Sequence, residues 1–227
     1  MVEAWMRKRT LRRRLPLNGR ENKYIDRTAP VINLNSQMFA NETHAMNHHS
    51  IPSQPVSPIP PDNPLRNLTI AAPNRDQSLP HVGIVGDTYT ILLTGTDTDG
   101  RYCLIDMHIP QGGGPPPHRH DFEESFTVLE GEIEVIFRGE KKVMRTGETV
   151  NIPANAPHSF TNASEHPARL LCICAPAGQD EFFLALGIPV ASRTTPPPKP
   201  DKAAEEELKA KIIALLPKYR TEILTPK

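Results

Sequence analysis

Three histidines and one glutamate are spaced as the ligands of a metal ion would be. His118 and His120 lie two residues apart, so on an extended strand both side chains leave the same face, and Glu124 keeps that parity four residues later. His158 follows a proline-rich turn further along the chain. Imidazole nitrogens with one carboxylate oxygen suit first-row transition ions. The alternative is a hydrogen-bonded core network without an ion, in which several desolvated groups must satisfy one another, and this is costly.

These residues belong to two stretches that resemble known motifs. The stretch GGGPPPHRHDFEESFTVLEG resembles the first motif of the cupin family, G(x)5HxH(x)3,4E(x)6G, and GETVNIPANAPHSFTN resembles the second, G(x)5PxG(x)2H(x)3N. The fixed positions are filled by Gly112, His118, His120, Glu124, Gly131, Gly147, Pro153, His158 and Asn162. Asn155 stands where the second motif has glycine, and asparagine tolerates the positive φ of such a turn better than most residues. The resemblance covers residues 82–189, about half of the chain.

The resemblance implies both a fold and a site. The chain is similar to single-barrel cupins of the quercetin-dioxygenase-like group, which implies a small jelly-roll barrel that holds one divalent transition ion (iron, manganese, nickel, copper or zinc). The implied ligands are His118, His120, Glu124 and His158. The implied function is that of a metal-dependent enzyme, a dioxygenase acting on a small aromatic or other organic substrate, with Glu124 as a candidate base. The same ligands serve several reactions, so a redox-neutral isomerase, decarboxylase or lyase and a non-catalytic ligand-binding barrel stay open as alternatives.

The strand pattern predicts this architecture independently. Many short alternating segments with regular turns occupy residues 81–174, and they predict an all-β, double-sheet antiparallel barrel. Phe126 and Phe160 share strand faces with the predicted ligands, so the substrate pocket is expected to be largely apolar. His108, on the strand before the ligand loop, is a further candidate for the pocket, and a surface or core position is its alternative.

Composition limits the function classes. The chain has 227 residues and no net charge, but residues 1–45 carry nine basic and four acidic residues, which leaves the remainder acidic and without a use for nucleic acid. No apolar run is long enough to span a membrane. The three cysteines, Cys103, Cys172 and Cys174, lack disulfide spacing and are expected to be core thiols of a cytoplasmic protein.

The 25 prolines mark the boundaries of the predicted domain. The stripe of apolar residues after Asp201 predicts an amphipathic helix that ends at Pro217. Exposed barrel edges and proline-rich arms make a homodimer plausible. A transit peptide or a nucleic-acid arm are the alternatives for the basic leader. The expected segments are a disordered basic leader and proline-rich spacer (1–64), the barrel (65–190), a proline-rich linker (191–200), the helix (201–217) and a tail (218–227).

Overall fold

The structure is a computed structural model that describes residues 58–224, so the predicted basic leader and most of the proline-rich spacer lie outside the described residues. Within that range twelve strands and three helices form. The strands are β1 His81–Ile84, β2 Asp87–Leu93, β3 Cys103–Ile109, β4 His118–His120, β5 Glu123–Glu130, β6 Glu132–Phe137, β7 Glu140–Arg145, β8 Thr149–Ile152, β9 His158–Thr161, β10 Ala168–Ala175, β11 Ile188–Pro189 and β12 Thr221–Ile223. The helices are α1 Gly95–Thr98, α2 Gln179–Leu186 and α3 Lys202–Leu215.

The strands form two antiparallel sheets that enclose one hydrophobic core. The larger sheet has the order β11-β1-β2-β3-β10-β5-β8, and the smaller one has the order β12-β4-β9-β6-β7. Core residues come from both sheets, for example Ile105 and Phe126 from the larger and Val135 and Phe160 from the smaller. The chain therefore has the double-sheet antiparallel architecture that the strand pattern predicted, and it forms the jelly roll that the family resemblance implied.

Period-two alternation decides which side chains enter the core. On β3, Cys103, Ile105, Met107 and Ile109 alternate along the strand, so they share one face, and all four are buried core residues. β5 alternates in the same way, and its buried residues lie between partly exposed ones. This alternation orients the ligand strands, because a one-residue slip would turn every core residue outward.

The chain differs from the sequence-based expectation in two places. One lies between β2 and β3, and the other lies after the helix α3. The segment TDTDG, which the sequence predicts to be a tight turn, overlaps the short helix α1, which begins at Gly95 and is capped by Thr94 through a reciprocal hydrogen-bond pair with Asp97. The predicted tail forms the strand β12, which pairs antiparallel with β4. The helix α3 has the predicted Asp201 cap, and the Glu205–Lys209 ion pair is present at 2.8 Å.

No helix of residues 58–224 is long and apolar enough to cross a membrane.

Candidate metal centre

The four predicted ligands come from three strands and meet at one point. His118 and His120 lie on β4, Glu124 on β5 and His158 on β9, where His158 is the ladder partner of His118. One ligand atom from each of the four residues lies within 4.8 Å of the others. His120, Glu124 and His158 are buried, and His118 is half-buried. The two sheets thus bring together residues that lie up to forty positions apart in the sequence.

The imidazole rings are oriented by the backbone. Each ring Nδ1 lies at hydrogen-bond distance from a carbonyl oxygen, which can only accept, so each Nδ1 carries the proton and donates it. The acceptors for His118, His120 and His158 are the carbonyls of Pro116, Phe122 and Ala156, at 2.9, 3.0 and 2.9 Å. The Nε2 lone pair of each neutral ring is then the one available to a cation. Such hydrogen bonds fix the tautomer and orientation of metal-binding histidines.

Two further contacts hold His120 in place. The ring of Phe122 stacks on it with centroids 3.8 Å apart and planes 3° from parallel. The backbone N–H of Asn155 donates to the His120 carbonyl at 2.6 Å. Asn155 has φ of 68°, so asparagine adopts the left-handed conformation expected at this glycine position of the motif. The sequence analysis did not identify Phe122 as a site residue. The only signal for it in the sequence is its position between His120 and Glu124.

The carboxylate of Glu124 faces the imidazoles through one oxygen. Its Oε2 lies 3.3 Å from Nε2 of His120 and 3.1 Å from Nε2 of His158. Burial would raise the pKa of Glu124, but hydrogen bonds from these two rings, which donate through Nε2 when they are doubly protonated, outweigh it and hold the pKa well below its usual range. Burial lowers and the contact with Glu124 raises the pKa of His158, with a net rise. Burial and the neighbouring His158 lower the pKa of His118 to about 4.

The donor set and its spacing fit a divalent transition ion. Metal–ligand bonds of about 2.1 Å that meet at about 90 to 109° place their ligand atoms about 3.0 to 3.4 Å apart. The separations of 3.1 and 3.3 Å between Glu124 Oε2 and the two ring nitrogens fall in this range. Three oriented imidazoles and one ionised carboxylate are donors that iron, manganese, nickel, copper and zinc all accept. The donor types of the cluster and the spacing of Glu124 from His120 and His158 therefore fit such an ion.

The predicted pocket residues have different positions. Phe126 and Phe160 are buried in the core, 5.5 Å apart between ring centroids, and Phe126 lies two residues from Glu124 on the same face of β5. His108 is partly buried and lies on the opposite face of β3 from the core residues Met107 and Ile109, so its role in the pocket stays a prediction. Strand parity explains this position, because the apolar residues of β3 take the inner face and leave His108 outside.

The outer face of the larger sheet carries a buried ion pair instead. Asp106, two residues before His108 on the same face, is 1% exposed and accepts hydrogen bonds from Arg169 Nε at 3.0 Å and Nη2 at 2.5 Å. Arg193 Nη1 lies 3.8 Å from the same carboxylate. These contacts tie β3, β10 and the segment after β11 together. Their role is structural, because they lie on the other side of the sheet from the four ligands.

Two polar groups near the centre were not identified from the sequence. Cys172, predicted to be a core thiol, has its Sγ 3.4 Å from Oε1 of Glu124. Asp87 is buried on β2, and its Oδ2 accepts from Tyr89 Oη and Gly114 N, both at 3.0 Å. Its Oδ1 has no hydrogen-bond partner among residues 58–224, and burial raises the pKa of this carboxyl to about 6. The alternation of DTYT places Asp87 with Tyr89 on one strand face, which is the signal that could have found it.

Comparison with protein families agrees with the fold and the ligand set. Residues 105–174 match the family model described as the Cupin domain, and this range contains His118, His120, Glu124 and His158. Residues 105–174 of the chain are therefore similar to the cupin family.

Its relatives include an enzyme. Quercetin 2,3-dioxygenase of Bacillus subtilis (strain 168) is 27% identical over 115 residues, which cover 50% of this chain and 34% of the relative. An uncharacterized protein of Aquifex aeolicus (strain VF5) is 40% identical over 73 residues, which cover 31% of this chain and 60% of the relative. The chain thus spans about a third to three fifths of the length of these relatives. Among solved structures, the polyketide cyclase RemF of Streptomyces resistomycificus has 20% identity and a TM-score of 0.43, covering 66% of this chain and 99% of that chain.

Proposed function

We propose that this cupin is a metal-dependent dioxygenase that acts on a small aromatic or other organic substrate. One observation carries the proposal: three imidazoles oriented by backbone carbonyls and one ionised carboxylate converge within 4.8 Å. The sequence relation to a quercetin 2,3-dioxygenase supports the choice of reaction. A bound divalent transition ion would supply Lewis-acid polarisation of a substrate oxygen and electron transfer with dioxygen.

The residues of the chain have separate tasks in this proposal. His118, His120 and His158 hold the ion through Nε2, and Glu124 holds it through Oε2. Glu124 is also the candidate base, because it is ionised and buried at the centre, where it can take a hydroxyl proton from the substrate.

The surroundings of the ligands favour an apolar substrate. Phe126 and Phe160 form an aromatic layer on the ligand side of the core. Such a layer excludes water and suits an aromatic molecule better than a phosphorylated sugar.

Metal analysis and oxygen consumption test the proposal. Protein purified without added metal or affinity tag is expected to contain about one divalent ion per chain, and the His118→Ala variant is expected to lose it. The matched control is His166→Ala, because His166 is an exposed histidine outside the cluster. Consumption of dioxygen on a panel of catechols and flavonoids is the expected activity. Stoichiometric metal in the His118→Ala variant would refute the ligand assignment, and turnover without dioxygen would favour redox-neutral chemistry.

We further propose a homodimer in a reducing compartment such as the cytoplasm, with a small-molecule substrate and no nucleic-acid partner. The three free, buried thiols support the compartment. Within residues 58–224, β7 and β8 each form the outer edge of a sheet, and these edges offer surfaces for a second copy.

A further inference from the structure

The two oxygens of Glu124 have different neighbours. Oε2 faces the ring nitrogens of His120 and His158, whereas Oε1 lies 3.4 Å from the sulfur of Cys172. Cys172 is 1% exposed and lies on β10, which pairs with β5. The thiol thus reaches the one oxygen that the histidines leave free.

The thiol can only be the donor in this contact. An ionised carboxylate accepts hydrogen bonds and has no proton to give. The Sγ of Cys172 lies within hydrogen-bond distance of Oε1, so the S–H is placed to donate to this oxygen. The sulfur of Cys174 lies 3.7 Å from this thiol, and its Sγ is also within 4.8 Å of the Glu124 carboxylate.

Strand register makes this contact specific to one of the three thiols. Glu124 is the ladder partner of Cys174, and Cys172 is the ladder partner of Phe126, so Cys172 approaches Glu124 diagonally across the pair of strands. Cys103 is equally buried but lies on β3, opposite Cys174, on the far side of β10 from Glu124. Cys103 can therefore serve as a control, because it is a buried thiol of the same core that lies outside the group formed by Glu124, Cys172 and Cys174.

We propose that Cys172 is a positioning residue that fixes the carboxylate of Glu124 for metal binding. Its S–H holds Oε1, so that Oε2 points at the ligand nitrogens, just as backbone carbonyls hold the Nδ1 atoms of the three histidines. The proposal rests on the metal site proposed above. Removing a hydrogen-bond partner of a metal ligand lowers metal affinity by about 10- to 100-fold.

The experiment measures metal affinity and compares a variant without the donor with one that keeps it. Zn²⁺ affinity of the full chain is determined by competition with a chromophoric chelator, and bound Co²⁺ is followed by its visible spectrum. Cys172→Ala is expected to bind Zn²⁺ about 10- to 100-fold more weakly and to shift the Co²⁺ bands. Cys172→Ser, which retains a donor, is expected to recover most of the affinity. Cys103→Ala is expected to bind as the unchanged chain does. If Cys172→Ala does not fold, Cys172→Val removes the donor while filling the space.

Three outcomes would overturn the proposal. Unchanged affinity in Cys172→Ala or Cys172→Val would show that the thiol does not position Glu124. An equal loss in Cys103→Ala would show a general effect of the core. A sulfur-to-metal charge-transfer band in the unchanged protein, lost in Cys172→Ala, would show that the sulfur binds the ion itself. The His118→Ala variant separates these results from a failure of the metal site. Metal retention in that variant would refute the proposed ligands and the positioning role of Cys172 together, whereas metal loss there with unchanged affinity in Cys172→Ala would refute the positioning role alone.

Discussion

The strand β12 is expected to control metal affinity, because it supplies most of the pairing of the ligand strand β4. β4 has three ladder pairs with β12 and one with β9, the pair His118↔His158. Glu222 on β12 also accepts from Arg119 Nε at 2.6 Å. Truncation after Arg220 removes β12 and leaves β4 with its single pair to β9. The described core cluster contains no residue of β12, so the barrel itself is expected to fold.

The size of the effect follows from the contacts that are lost. Three consecutive antiparallel pairs include at least one hydrogen-bonded pair, which exchanges two backbone bonds. The N–H of Leu224 donates a third bond to the Pro117 carbonyl at 2.8 Å. At about 1 kcal/mol net for each bond, the loss is about 3 kcal/mol, and the exposed Arg119–Glu222 pair adds little. If metal binding must then order β4, affinity falls by about 100-fold, since about 1.4 kcal/mol corresponds to a factor of ten.

Zn²⁺ competition with a chelator measures this change. The matched control is truncation after Leu224, which removes residues 225–227 and keeps β12 and its bond to Pro117. Thermal unfolding of both truncated chains shows whether the barrel is intact. A chain truncated after Arg220 that folds and binds Zn²⁺ as tightly as the control would refute the reasoning, because β4 would then be ordered without β12.

Two further predictions concern pH and stability. The contact with Glu124 raises the pKa of His158. Below that pKa, the Nε2 of His158 carries a proton that must leave before the nitrogen can bind a metal ion. Metal affinity is therefore expected to fall as the pH decreases through the pKa of His158. His118 has a pKa of about 4 and adds no pH dependence near neutrality. Isothermal titration calorimetry measures the affinity, and an affinity that stays constant from neutral to mildly acidic pH would contradict the predicted effect of His158. Arg169→Met leaves the buried Asp106 carboxylate without its main partner and is expected to lower the free energy of unfolding by about 3 to 5 kcal/mol. Urea denaturation measures this loss, and a double variant with Asp106→Leu should recover most of it; a loss below about 1 kcal/mol would contradict the prediction.

Local features of the site could be predicted from the sequence. Strand period two places His118 and His120 on one face and Phe126 with Glu124 on another, and this parity depends on the adjacent residues alone. The left-handed turn at Asn155 was predictable for the same reason, because it is a property of one residue in one motif. The double-sheet architecture followed from the repetition of such short strands.

The tertiary structure decided every feature that depends on which segments meet. His108 alternates correctly with its neighbours, but only the packing of the two sheets shows that its face is the outer one. The pairing of β12 with β4 joins residues about one hundred positions apart, and the contact of Cys172 with Glu124 joins strands that are not consecutive in the chain. Alternation fixes the relative orientation of neighbouring side chains, whereas the inner face and the cross-strand partners result from burying apolar surface across the whole barrel.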